Sequence, residues 1–142
     1  MKLGVFSAME VAASGLSAER TRMNVIASNL ANARTTKTEA GGPYKKLDPV
    51  FHAVPLDGGA VGSAGGVSLV RVDRIEADKR DPQLVYEPGH PDADAKGYVR
   101  YPNVNVVEEM VNMITASRAY EAGVTSIDSV KSMAHSALGI GR

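Results

Sequence analysis

Residues 102–139 read PNVNVVEEMVNMITASRAYEAGVTSIDSVKSMAHSALG and carry the clearest structural signal in the chain. Asn105 followed by Glu108 is typical of a helix N-cap, and Gly139 offers a left-handed C-cap, so we predict a helix over about 106–138. Its apolar residues recur every seven positions, at Val106, Met113, Tyr120, Ile127 and Ala134, with Met110, Val124 and Leu138 at the second seam position. This spacing is that of a coiled-coil seam.

The N-terminal segment repeats this design. Ser7 and Glu10 have the spacing of a capping box and predict a helix start there. The apolar seam that follows consists of Met9, Leu16, Met23 and Leu30, seven residues apart, with Ile26 at a neighbouring position. Each seam is too narrow to bury its helix on all sides, so we expect the two helices to pair with each other or with other copies.

The segment between the helices has the composition of a β-rich insert. All seven prolines lie between Pro43 and Pro102, whereas all six methionines lie outside the span 34–102. Proline breaks helices and methionine favours them. The glycine-rich run 57–66 predicts a flexible loop, and it lacks the spacing of a phosphate-binding motif.

Four strand patterns lie within this insert. Residues 67–76 and 83–87 flank a polar turn and predict a β-hairpin with a long connection. Residues 44–54, broken at Pro49, and residues 97–101 predict two further edge strands.

These patterns together predict an α+β fold. Long N- and C-terminal helices pair in a coiled-coil-like axial domain, with a small β-rich insert between them. The predicted division is an N-terminal axial helix over 1–33, the insert over 34–102 and a C-terminal axial helix over 103–142.

The overall composition excludes several classes of function. Sixteen basic residues balance sixteen acidic ones, which argues against a nucleic-acid partner, and the absence of cysteine removes thiolate chemistry. No apolar run reaches the roughly 18 residues of a membrane span. Glu10 interrupts the place of a signal-peptide core, so we expect no cleavable signal peptide.

One cluster, at residues 90–94, invites a metal interpretation. It places His90, Asp92 and Asp94 within five residues and resembles the first half of a calcium loop. Lys96 and Asn103 stand where oxygen ligands belong, so a turn whose carboxylates accept backbone amides is the better interpretation. His52 and His135 have no motif partners. We therefore expect no enzyme, cofactor, metal or small-molecule substrate.

Two stretches resemble a known family. Residues 13–20 and 24–36 resemble the N-terminal motif of the bacterial flagellar rod and hook family, centred on Asn-Leu-Ala-Asn-x-x-Thr. Residues 86–105 resemble the stretch that distinguishes one short member, a proximal rod protein. The family-motif residues are Asn29, Leu30, Ala31, Asn32 and Thr35.

The resemblance implies a structural, non-enzymatic subunit of the proximal rod of the flagellar basal body. It implies a periplasmic location and export through the flagellar type III apparatus without a cleaved signal peptide. The implied partners are other rod proteins, copies of the same chain, and basal-body ring and export-gate-adjacent proteins. In the family the terminal segments form the helical inner layer of a tube and order on assembly, which agrees with two narrow-seam helices.

Roles follow for three groups of residues. The family motif is expected to set the exit of the first helix, where asparagine can adopt left-handed geometry and threonine can satisfy free carbonyls or amides. The turn that returns the insert to the second helix comprises His90, Pro91, Asp92, Tyr98, Tyr101, Pro102 and Asn105. The predicted assembly interface comprises Met9, Leu16, Met23, Ile26, Leu30, Val106, Met110, Met113, Tyr120, Val124, Ile127 and Leu138.

Three alternatives remain open at this stage. The chain could be another rod-family component, such as the other short proximal rod protein. A soluble coiled-coil adaptor would use the same seams and would stay helical and oligomeric alone. A hydrolase would use His90, Asp92 and Asp94, and it would bind zinc or manganese.

Overall fold

The computed structural model describes residues 4–56 and 67–140. The elements are α1 (Val5–Ala31), β1 (Leu47–Pro55), β2 (Ser68–Ala77), β3 (Gln83–Tyr86), β4 (Tyr98–Tyr101) and α2 (Val106–Ile140). This order confirms the α+β prediction of two long terminal helices around a small β insert. The loop predicted over 57–66 lies outside the described residues.

Helix α1 begins one turn earlier than the capping box predicts. Gly4 is its N-cap, in extended geometry, and makes no side-chain capping bond. Ser7 lies inside the helix, and its backbone N–H donates to the Gly4 carbonyl at 3.0 Å. The Ser7 cap is therefore wrong, because glycine is itself an acceptable N-cap and lets the helix start at Val5.

Helix α2 starts as predicted and ends later. The Asn105 Oδ1 accepts the backbone N–H groups of Val107 at 3.1 Å and Glu108 at 3.3 Å, which confirms the N-cap. At the other end the helix runs through Gly139 to Ile140. Gly139 has no positive φ, so the predicted C-cap is wrong. Glycine costs a helix only about 1 kcal/mol relative to alanine and does not oblige it to stop.

The strands pair differently from the prediction. β1 pairs antiparallel with β2, from Leu47 opposite Ala77 to Pro55 opposite Ser68, with a bulge between Val50 and Phe51. β3 pairs antiparallel with β4, from Gln83 opposite Tyr101 to Tyr86 opposite Tyr98. The predicted hairpin of residues 67–76 with 83–87 is wrong.

The turn at Asp78 explains this difference in pairing. The Asp78 N–H donates to the Lys46 carbonyl at 2.7 Å, and the Asp78 carboxylate accepts the Arg80 N–H at 2.9 Å. The turn therefore ends the β1–β2 sheet and leads the chain to a second sheet. Pro49 does not break β1, since among the described strands β1 pairs only with β2 and its other edge needs no N–H.

The two helices run antiparallel. Leu16 of α1 lies against Gly123 of α2, and further along α1 Asn29 meets Glu109. A Cβ atom at Gly123 would lie 2.7 Å from the Leu16 Cδ2, so glycine permits a close approach here. The buried apolar residues of the described chain are Ala18, Val25, Ile26, Leu69, Val99, Pro102, Val104 and Ala116. Across the described ranges, neither helix is long and apolar enough to cross a lipid bilayer.

Candidate functional site

A buried polar cluster, formed by Asn29, Lys46 and Glu109, joins α1, the start of β1 and α2. Asn29 is 1 % exposed and lies in the last turn of α1. Its Nδ2 donates to the Leu47 carbonyl at 2.8 Å and to the Glu109 Oε2 at 2.9 Å. Its Oδ1 accepts the Leu47 N–H at 2.9 Å and the Tyr44 hydroxyl at 3.0 Å. All four hydrogen-bonding positions of the amide are thus filled.

The charges of the polar cluster are paired. The Lys46 Nζ lies 3.2 Å from the Glu109 Oε1 and 3.4 Å from an Asp48 oxygen. Burial acts to lower the pKa of Lys46, but the hydrogen bond to Glu109 and the charges of Asp48 and Glu109 outweigh it. The pKa of Lys46 therefore lies above its ordinary value, and the ammonium form is the one that the fold holds.

Sequence reasoning found Asn29 but missed Lys46 and Glu109. Glu109 stands four residues before Met113, so it continues the apolar stripe of Met113 and Tyr120 back by one helical turn. A carboxylate in line with such a stripe is a signal of a buried polar contact. Lys46 follows another lysine in the predicted edge strand over 44–54, and nothing local marks it as buried.

The helix exit keeps right-handed geometry. Asn32 has φ −101° and ψ 10°, and in the described residues only glycines have positive φ. The expected left-handed asparagine is therefore wrong. Instead the Asn32 Nδ2 donates to the Ser28 carbonyl at 2.9 Å, and the Thr35 hydroxyl donates to the Asn32 Oδ1 at 3.2 Å. These bonds satisfy groups at the helix end without a positive φ.

The return turn is built around Asp94. Its Oδ1 accepts the N–H groups of Lys96 at 2.8 Å and Tyr98 at 2.9 Å. The hydrogen bonds from Tyr98 and Lys96 hold the pKa of Asp94 below its ordinary value. Gly97 has φ +81°, and a Cβ there would lie 2.9 Å from the Tyr86 ring. The turn interpretation of this segment is thus confirmed for Asp94.

The structure brings the two family-like stretches together. The Thr36 hydroxyl, just past the α1 exit, donates to the Asp92 Oδ2 at 2.7 Å. The Tyr98 ring stands edge-on to Tyr86 with centroids 5.3 Å apart, and the Tyr101 hydroxyl donates to Glu87 at 2.9 Å.

Other residues of the return turn serve packing and capping. Pro102 is fully buried, and Asn105 is the α2 cap already described. The His90 Nδ1 accepts the Asp92 N–H at 3.1 Å. Among residues 4–56 and 67–140 no group of three acidic or histidine side chains has metal-binding geometry.

Helix α2 has two different apolar faces. The face toward α1 includes the half-buried Met113, Tyr120 and Ile127 and the fully buried Ala116. The opposite face carries an outer patch near the start of the helix, whose members are 45 to 70 % exposed. This α2 outer patch consists of Val106, Val107, Met110, Val111 and Ile114. At about 100° per residue, these five side chains span an arc of about 140° around the helix axis.

The predicted interface residues divide between these environments. In α1, Ile26 is buried, whereas the seven-spaced seam residues are half-buried. Val106, Met110, Val124 and Leu138 of α2 are exposed, with Leu138 at 75 %. The heptad therefore divides into a set that packs within the chain and a set on its surface. The half-buried seam residues of α1 are Met9, Leu16, Met23 and Leu30.

The two helices pair around a buried polar cluster and expose large apolar side chains. These features are typical of a structural subunit of an assembly. Comparison with known proteins identifies the family of this subunit. The family model described as "Flagella basal body rod protein" matches residues 9–36, and the one described as "Flagellar basal body rod FlgEFG protein C-terminal" matches residues 95–140.

Full-length relatives agree. The flagellar basal-body rod protein FlgC of Borreliella burgdorferi is 47% identical, with 97% of this chain and 98% of the relative covered. The protein of the same name from Escherichia coli O6:H1 is 45% identical, over 99% and 100% of the two chains. The one from Bacillus subtilis is 39% identical, over 96% and 98%. The chain belongs to the FlgC family of flagellar basal-body rod proteins and is a structural subunit of the rod.

Proposed function

We propose that this rod subunit polymerises through its terminal helices in the proximal part of the rod and forms part of the tubular drive shaft for motility. Its partners in this proposal are copies of itself and other rod proteins. Contacts with basal-body ring and export-gate-adjacent proteins belong to the same proposal. So does delivery to the periplasm by the flagellar type III system, which rests on the resemblance alone.

The α2 outer patch is the observation that carries the proposal. Its five large apolar side chains lie in consecutive turns of one helix and are at least 45 % exposed. Contiguous exposed apolar surface of this kind is typical of protein–protein contacts rather than of a monomer's surface. A neighbouring subunit that covers it would bury apolar area and stabilise the assembly.

Apolar side chains are exposed at the other end of the helical pair as well. Because α1 and α2 are antiparallel, Phe6 near the start of α1 lies at the same end as Met133 and Leu138 of α2. Phe6 is 86 % exposed, and Met133 and Leu138 are 62 % and 75 % exposed. An apolar surface at each end suits a head-to-tail contact, and such contacts generate open helical filaments when the rotation between subunits does not close a ring.

A non-catalytic role is part of the proposal. The carboxylates of the one cluster that invited a metal interpretation already have partners: Asp92 accepts the Thr36 hydroxyl, and Asp94 accepts two backbone N–H groups. Their hydrogen bonds support a turn. We further infer that the insert, residues 34–102, is a unit distinct from the axial helices 1–33 and 103–142, and that the family motif and the return turn position it.

Met110→Asp tests the proposed interface. The substitution places a charge in the centre of the α2 outer patch without entering the face toward α1, so the helical pair should still form. We expect normal expression, loss of the protein from purified basal bodies and loss of swimming in a strain that lacks the parental copy.

The matched control is Thr115→Asp, which adds the same charge to the same exposed helix outside the patch. We expect this variant to assemble and support swimming. Incorporation of the Met110→Asp variant at parental levels would contradict the proposed interface.

A further inference from the structure

The apolar seams alone do not distinguish one alignment of the helices from another. Met9, Leu16, Met23 and Leu30 repeat every seven residues on α1, and Met113, Tyr120 and Ile127 do so on α2. Sliding one helix past the other by seven residues, about 10.5 Å, places apolar residues opposite apolar residues again. The close contact of Leu16 with Gly123 does favour the observed alignment, because the slip moves Leu16 to Ala116 or to Val130, each of which carries a Cβ. The apolar repeat itself makes no such distinction.

The polar cluster does distinguish the alignments. Asn29, Lys46 and Glu109 are the buried polar or charged residues of the described chain, and they lie at one level of the helical pair. In the observed alignment the Asn29 amide has four partners and the Glu109 carboxylate contacts both Asn29 and Lys46. A seven-residue slip would break the Asn29–Glu109 bond and bring Asn29 level with Ala116 in one direction or with Pro102, before α2, in the other. Lys46 and Leu47 could then stay with only one of the two helices, so either the bonds of Leu47 to Asn29 or the Lys46–Glu109 pair would also be lost, which is unfavourable for buried groups.

We propose that the polar cluster fixes the axial register of α1 against α2. Lys46 directly precedes β1 and Leu47 is its first residue, so the same contacts also fix the insert relative to the helical pair. A single buried asparagine selects register in coiled coils by the same physical means. This role concerns how the subunit acquires one shape, and it stands whether or not the α2 outer patch is the assembly interface.

Introduced cysteine pairs can report the register, because the chain has no cysteine of its own. Leu16→Cys with Gly123→Cys reports the observed alignment, since a Cβ at residue 123 lies 3.2 Å from the Leu16 Cγ. Met23→Cys or Met9→Cys with Gly123→Cys reports a slip in either direction. In the observed alignment those positions are about 10.5 Å apart along the axis, too far for a disulfide.

The test compares disulfide yields in the full chain and in the variant Asn29→Leu/Lys46→Met/Glu109→Leu, with helix content measured by circular dichroism. We expect the parent to cross-link through 16 and 123. In the variant the ratio of slipped to observed product should rise at least about tenfold. A helical variant that cross-links only through 16 and 123 would overturn the proposal.

Two further variants cover the case in which the triple variant does not fold and control for the loss of a polar residue outside the cluster. If the triple variant loses its helix content, Lys46→Met/Glu109→Met answers the same question, since it leaves the bonds of Asn29 to Leu47 and Tyr44 in place. A slipped product from this double variant supports the proposal, and its absence overturns it. Asn112→Leu changes a polar residue on the same face that makes only a 3.4 Å bond to Glu109. Slippage in this control would show that the polar cluster is not the determinant.

Discussion

Asn29 shows how one residue can bind three segments together. Its amide forms hydrogen bonds with the backbone N–H and carbonyl of Leu47 in β1 and with the Glu109 side chain of α2. A leucine of similar size would fill the space but would leave the Leu47 N–H and carbonyl without these partners. The family motif at this position is therefore explained by hydrogen bonding rather than by backbone geometry.

Gly97 is the residue whose backbone geometry matters most in the return turn. Gly97→Ala should destabilise the chain by about 1–3 kcal/mol, because alanine is strained at φ +81° and its Cβ would approach the Tyr86 ring to 2.9 Å. Urea unfolding measures the change. Gly89→Ala is the control, since a Cβ there meets nothing within 4 Å, and its effect should stay within about 0.5 kcal/mol. Equal effects of the two substitutions would contradict this account.

Among the elements, α2 presents two apolar faces, one toward α1 and one toward solvent. Its inner face packs on α1, and its outer patch near Met110 is exposed. A helix with one apolar stripe would satisfy the fold alone. The second stripe has no intramolecular partner in the described chain, and it supports the proposed contact between subunits.

The packing of α1 on α2 depends on Gly123. Gly123→Val should destabilise the helical pair by about 1–3 kcal/mol, since the new side chain would collide with Leu16. Thermal unfolding followed by circular dichroism measures this. The added Leu16→Ala substitution should recover part of the loss, because the two sites are coupled. By contrast Gly15→Ala, in open space on α1, should stabilise by up to about 1 kcal/mol. No recovery in the double variant would contradict the contact.

At the scale of the whole molecule, stability should depend on alkaline pH through Lys46. Its pKa is raised in the fold, so its contribution is fully present below the ordinary value of 10.5 and is lost as the pH rises through the folded value. The urea midpoint should therefore fall as the pH is raised past this range. Lys46→Met lacks the titrating group and should show a smaller fall over the same range. An equal fall in both proteins would show that Lys46 contributes nothing.

Much of the architecture is predictable because its signals are local. The seven-residue repeats span whole helices, and Asn105 caps α2 through bonds within three residues. The four strands also lie near their predicted positions. Their pairing does not follow from the sequence, since β2 has strand patterns on both sides and only the Asp78 turn and its bond to Lys46 decide between them.

By itself the sequence determined the two terminal helices, the β-rich character of the insert and the flagellar rod family, since repeats, caps and motifs act over a few residues. Tertiary structure alone decided which strands pair, which seam residues pack within the chain, and that Lys46 and Glu109 are buried. Asn29 and Glu109 stand 80 residues apart, and the burial of a charge depends on what surrounds it in space. The apolar stripe can indicate that Glu109 is buried, but no local pattern identifies Asn29 and Lys46 as its partners.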